Sequence, residues 1–137
     1  METVRQGLGV TLVVACGCLL SCHRNPAVLR DELLANGRWT GENACVSVTE
    51  TGCDLVVGCG HGVFPRPTIR ADGTFDVDGT YRVEIGPIAV DPVPPAHFSG
   101  SVGNSKLIVT VIPGGSIPAA TYSMTPASPG TCPNPCA

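Results

Sequence analysis

Ala44 to Cys59 reads ACVSVTETGCDLVVGC, and its alternation decides the fold. Val46 and Val48 share one face of the first half, with Ser47 between them. Cys53, Leu55, Val57 and Cys59 share one face of the second half. Period two over two consecutive runs, with Thr51-Gly52 as the turn signal, predicts a β-hairpin. The simplest reversal, at Glu50-Thr51, sets Cys45 opposite Val56.

The same pattern continues downstream. Thr68 to Ala71 begins a strand, and Asp72-Gly73 is a hairpin signal. Thr74 to Val77 follows, then Asp78-Gly79 as a second signal, then Thr80 to Ile85 with Tyr81, Val83 and Ile85 on one face. Gly86 to Pro95, GPIAVDPVPP, holds too many prolines for a central strand and reads as a loop. His97 to Val102 and Lys106 to Ile112 form a further hairpin around Gly103-Asn104-Ser105. Pro113-Gly114-Gly115 is a loop, Thr121 to Thr125 a last strand, and the remaining residues an irregular tail. Short turns force antiparallel neighbours, and no helical crossover is available for a parallel sheet. The expectation is an all-β, up-and-down meander of about eight strands over residues 37–126, closed as a small barrel or packed as two sheets, with 127–137 as the tail.

Composition agrees. The 137 residues include 17 glycines and 13 prolines, which disfavours long helices, and the length suits one domain. A net charge of −3 with eight basic residues gives no electrostatic footprint for nucleic acid. Eight cysteines in so short a chain suit an oxidising compartment.

Upstream, Gly7 to Leu20 is an apolar run of 14 residues. As a helix it spans about 21 Å, short of a hydrocarbon core of about 30 Å. It therefore reads as a signal-peptide segment rather than a permanent span. It ends in Leu19-Leu20-Ser21-Cys22, which resembles the lipobox of bacterial lipoproteins. That resemblance implies a leader over residues 1–21, cleavage before Cys22, acylation of Cys22 and anchoring by more than one chain. His23, where inner-membrane lipoproteins often carry Asp, favours the outer membrane or cell surface. Residues 22–36 then form a linker. Within it Asn25-Pro26 and Asn36-Gly37 bracket Pro26 to Ala35, a short helix or a tether that turns helical only on contact.

From Gly37 to Cys132 the order of motifs resembles a group of small exported bacterial β-domains. The matching residues are Trp39 and Gly41, Val48-Thr49 and Gly52, then Cys59, His61 and Gly62. They continue through Gly73 and Phe75, Gly79 and Tyr81, Gly86-Pro87, Phe98-Ser99-Gly100 and Cys132. Cys45, Cys53, Cys136 and Lys106 depart from the pattern. The resemblance implies fold and export and supplies no catalytic residues.

With Cys16 and Cys18 in the leader and Cys22 acylated, Cys45, Cys53, Cys59, Cys132 and Cys136 remain for two bridges and one leftover thiol. Cys59 with Cys132 would close a long loop, and Cys45 with Cys53 flanks one hairpin. Zinc held by Cys59, His61, Cys132 and Cys136 is the weaker alternative, since the spacing matches no standard zinc motif.

No nucleophile elbow, His-Glu-x-x-His or phosphate loop is present, and no cofactor is called for. Asp72, Asp76 and Asp78 fit turns better than a calcium loop. The expectation is a non-catalytic binding or structural domain of the cell envelope, held at the membrane by its lipid, with an envelope protein or small ligand as partner. The alternative is an inhibitor of an extracellular hydrolase presenting Gly58 to Pro67 as a rigid loop. His61, Phe64 and Arg66 are the candidate contact residues in that stretch. An enzyme reading would require His61 beside a carboxylate in a cleft, rather than solvated in a turn.

Overall fold

The computed structural model describes residues 31–84, 92–133 and 136; the leader, the lipobox and Cys22 lie outside them. The described residues form strands β1 (Glu32–Leu33), β2 (Gly37–Gly41), β3 (Ala44–Thr49), β4 (Gly52–Val57) and β5 (Gly60–Phe64). They continue as β6 (Thr68–Ile69), β7 (Thr74–Val83), β8 (Pro95–Gly103), β9 (Lys106–Pro113) and β10 (Ala120–Ala127). Eight of them close an antiparallel barrel in the order β2-β3-β4-β5-β7-β8-β9-β10. Closure is made by β10, which pairs with β9 through Ala120–Met124 and with β2 through Met124–Ala127. Of the two architectures the sequence allowed, the barrel is the one formed, and it removes the sheet edges a sandwich would expose.

The founding hairpin has the simplest register. Thr49 faces Gly52 across a Glu50-Thr51 turn, and Cys45 lies opposite Val56. A second two-residue turn, Asn104-Ser105, joins β8 to β9, with φ of 52° and 56° at its two positions. That backbone is the one a right-twisted hairpin requires.

The barrel interior is packed solid. Val46, Leu55, Phe98, Leu107 and Val109 are 0% exposed. Large rings fit because glycines face them across the wall, the alternation of small and large that a narrow barrel needs. A Cβ on Gly62 would stand 2.9 Å from the Phe98 ring, and one on Gly100 would stand 2.8 Å from the Phe75 ring. Phe64 stacks on Phe98 with ring centroids 4.4 Å apart.

Several sequence expectations change. Gly58 to Pro67 is not one loop, because its central half, Gly60–Phe64, is β5, paired on both sides by β4 and β7. Two of its three inward positions are Gly60 and Gly62, with Phe64 the third, so most of the apolar alternation is missing from a strand that is nonetheless central. Asp78-Gly79 is not a turn either. β7 runs straight through it, pairing Thr74–Thr80 with β8 and Thr80–Val83 with β5. Gly79 is needed for close approach, since a Cβ there would lie 2.8 Å from the Phe64 Cβ. At Asp72-Gly73 the chain does turn, with Gly73 at φ 83°. The strand before that turn, β6, pairs with β1 rather than with β7. Pro95, placed in the loop, is the first residue of β8; residues 85–91 lie outside the described set.

No helix forms over the described part of Pro26 to Ala35. Glu32 and Leu33 pair with Ile69 and Thr68, and the Leu34 amide donates to the Pro67 carbonyl at 2.9 Å. Those groups are spent on a neighbouring chain segment, so no intrahelical ladder is available to them. Leu34, 2% exposed, joins the core where β5 leaves the barrel and β7 enters it.

The two bridges pair differently from the favoured sequence arrangement. They are Cys45–Cys132 and Cys59–Cys136, with Cα separations of 5.6 and 5.3 Å. Among the described cysteines Cys53 is the free thiol, and it is 1% exposed. The cause is alternation: Cys53 points inward with Leu55, while Cys45 points outward between Ala44 and Val46. The two flanking cysteines therefore sit on opposite faces of the hairpin. After β10 the tail turns back along the outer wall, meeting Cys45 first and Cys59 afterwards.

Candidate functional site

Four neighbouring strands and the returning tail frame a cleft of about 300 Å³ on the outer wall. Register explains who lines it. Ser47 on β3 is paired with Asp54 on β4, Val56 on β4 with His61 on β5, and His61 with Arg82 on β7. All of these positions alternate with core residues, so all point outward. Glu84 follows β7 and is fixed by its amide, which donates to the Cys59 carbonyl at 2.8 Å. Thr131 and Cys132 of the tail supply the facing wall.

His61 sits between two carboxylates. Its Nε2 is 3.3 Å from Asp54 Oδ1, and its Nδ1 is 3.9 Å from Glu84 Oε1. Arg82 donates to the same Glu84 oxygen from Nε at 3.1 Å and Nη2 at 2.9 Å. His61 and Glu84 are 28% and 26% exposed, whereas Asp54 is 52% exposed. The result is a concave surface with both signs of charge, partly shielded and braced by its own pairs.

His61 therefore stands on a strand beside a carboxylate, not solvated in a turn. A hydrolytic triad needs more than this: one ring nitrogen must face the nucleophile and the other its orienting acid. Here both nitrogens face carboxylates, and no hydrogen bond joins Ser47 to His61. The arrangement suits holding a polar group better than relaying a proton.

Of the three contact candidates, only His61 lines the cleft. Phe64 is 2% exposed and belongs to the core. Arg66 serves the fold: its Nε donates to the Leu34 carbonyl at 2.6 Å, and its Nη1 lies 3.5 Å from Glu50 Oε2. Asp54, Arg82, Glu84 and Thr131 were not singled out from sequence. The outward position of Asp54 follows from Cys53 and Leu55 facing in, but its proximity to His61 depends on recognising β5.

Elsewhere several titratable groups are paired. His97 Nδ1 lies 2.8 Å from Asp78 Oδ1 on the outer faces of β8 and β7. Asp72 accepts from the Thr74 hydroxyl at 2.6 Å and amide at 3.0 Å, which holds its carboxyl below the usual carboxylate range. Asp76 pairs with Arg70 and is lowered for that reason. The three cysteines weighed as zinc ligands beside His61 are all consumed in disulfides, Cys59 with Cys136 and Cys132 with Cys45. Burial, and next the Asp54 charge, push the Cys53 thiol up to about 12, so it stays protonated and inert.

Two disulfides with separations of 87 and 77 residues belong to a protein of an extracytoplasmic, oxidising compartment. No family, curated protein or solved structure matches the chain.

Proposed function

We propose that this chain is an exported lipoprotein, tethered to a membrane through Cys22, whose barrel is a non-catalytic binding domain of the cell envelope. The outer-wall cleft around His61 is its contact site. One observation carries the reading: the barrel interior is filled with side chains, while its outer wall holds a concave, doubly charged surface. A ligand offering both an amine or hydroxyl cluster and a carboxylate matches Asp54, Glu84 and Arg82 together. The resemblance to exported bacterial β-domains fits a shared scaffold more than a shared activity. Its motif residues Gly62 and Phe98, or Phe75 and Gly100, are packing partners. The inhibitor alternative loses the centre of its loop, because Gly60–Phe64 is barrel wall with Phe64 inside.

The test is calorimetric titration of the full, oxidised protein with soluble muropeptides, which carry free amines and carboxylates. Saturable binding that is lost in Asp54→Asn and His61→Ala supports the reading. Binding unchanged in both variants, or none at millimolar concentration, overturns it. Intact mass of the membrane-extracted protein tests the anchor. Loss of residues 1–21 with acyl mass on Cys22 is expected, and an unmodified Cys22 contradicts it.

A further inference from the structure

We propose that the two disulfides build the cleft, and that a dithiol reductant opens it without unfolding the barrel. This rests on reading the cleft as the binding site, but its physical basis is separate. Barrel closure is finished before the tail begins. The β10–β2 ladder runs from Met124 opposite Gly41 to Ala127 opposite Arg38 and contains no cysteine. Residues 128–133 place no side chain in the core, and each is exposed or half-exposed.

Among the described residues, and apart from the bridges, one exposed hydrogen bond fastens residues 128–133, from Arg38 Nη1 to the Thr131 carbonyl at 3.2 Å. One such bond returns less than the conformational entropy of ordering six residues. Covalent attachment at Cys45 and Cys59 is therefore what keeps Thr131 and Cys132 facing His61 and Asp54. Without it the cleft becomes an open strand surface.

The chemistry balances bridge by bridge. A thiolate of the dithiol attacks a bridge sulfur, and the mixed disulfide resolves through the second thiol. The reductant leaves as its own disulfide, and its two electrons and two protons leave two cysteine thiols on the protein. Cys59 and Cys136 are both exposed, so that bridge is reached first; Cys45 is 6% exposed, so attack on the other comes through Cys132. Cys53 takes no part, being sealed in the core.

The experiment compares the full-length protein before and after dithiothreitol treatment and thiol capping. Peptide-resolved diethylpyrocarbonate labelling of His61 is the readout, and His97, on a different part of the wall, is the internal control. Trp39, the single tryptophan, reports on the barrel by its emission. The expected result is faster labelling of His61, bounded at about 3.6-fold by its present 28% exposure, with His97 and Trp39 unchanged. The combined variant Cys45→Ala, Cys59→Ala, Cys132→Ala, Cys136→Ala should give the same labelling without reductant. Unchanged His61 labelling once both bridges are open overturns the proposal, as does a parallel rise at His97 with a shift of Trp39 emission. Because no ligand is involved, failure to bind muropeptides leaves this outcome standing, and the converse also holds.

Discussion

Gly62→Ala should destabilise the barrel although alanine is the better strand residue. The added Cβ would stand 2.9 and 3.0 Å from two carbons of the Phe98 ring and 3.5 Å from the Leu55 Cβ. Optimal carbon contacts are about 3.5–4.0 Å, so the ring must retreat by more than half an ångström. It has nowhere to go, being 0% exposed and stacked on Phe64. Overpacking of this kind costs about 1–3 kcal/mol, and relief of glycine's backbone entropy returns about 0.5–1 kcal/mol. The net loss centres on about 1 kcal/mol and reaches at most about 2.5 kcal/mol, a fall in Tm of roughly 4–8 °C per kcal/mol for a domain of this size. Gly103→Ala is the control, since nothing lies within 4 Å of its Cβ position, and it should fall within about 0.5 kcal/mol of the parent. Thermal and urea unfolding of the oxidised proteins reads both. If Gly62→Ala matched or exceeded Gly103→Ala in stability, the interior would not be filled as described.

Four further outcomes follow from the same structure. Cys53→Ser should cost about 1–3 kcal/mol more than Cys53→Ala, because the hydroxyl lands among apolar neighbours, and urea midpoints would show the gap. The raised folded-state pKa of Cys53, about 12 against 9.0, contributes stability that is complete below pH 9. That stability is lost as pH rises toward 12, so parent and Cys53→Ala melting curves should converge over that window. Arg66→Ala removes the bond to the Leu34 carbonyl and should cost about 1–2 kcal/mol; hydrogen exchange would find the Leu34 amide deprotected while Val46 and Val109 stay protected. Thr74→Val deletes the first cause of the lowered Asp72 pKa and should move that carboxyl back toward its ordinary value, as side-chain carbonyl NMR would record.

Much of the barrel was legible because strand alternation is written in residue types that differ sharply. The run Cys45-Val46-Ser47-Val48 needs no context, and neither does the register of its hairpin. What escaped has a common physical cause. At β5 and at Gly79 the inward positions are glycine, because Tyr81, Phe98 and Phe64 occupy the space. A position emptied to admit a neighbour's ring carries no hydrophobic signal of its own and imitates a turn. Disulfide pairing escaped because it depends on the path of the tail across the wall, which local spacing does not encode. The site is half visible for the same reason: His61 stands out within Gly58 to Pro67, but Asp54, Arg82 and Glu84 join it only across strands.

The most direct test of where this protein makes contact is chemical-shift mapping of the oxidised, isotope-labelled protein during titration with muropeptides. Perturbations gathered on Ser47, Asp54, His61, Arg82 and Thr131 are the predicted result. Perturbations centred on the interior positions Leu55, Phe98 and Val109 would contradict it, placing the ligand inside a barrel held here to be full.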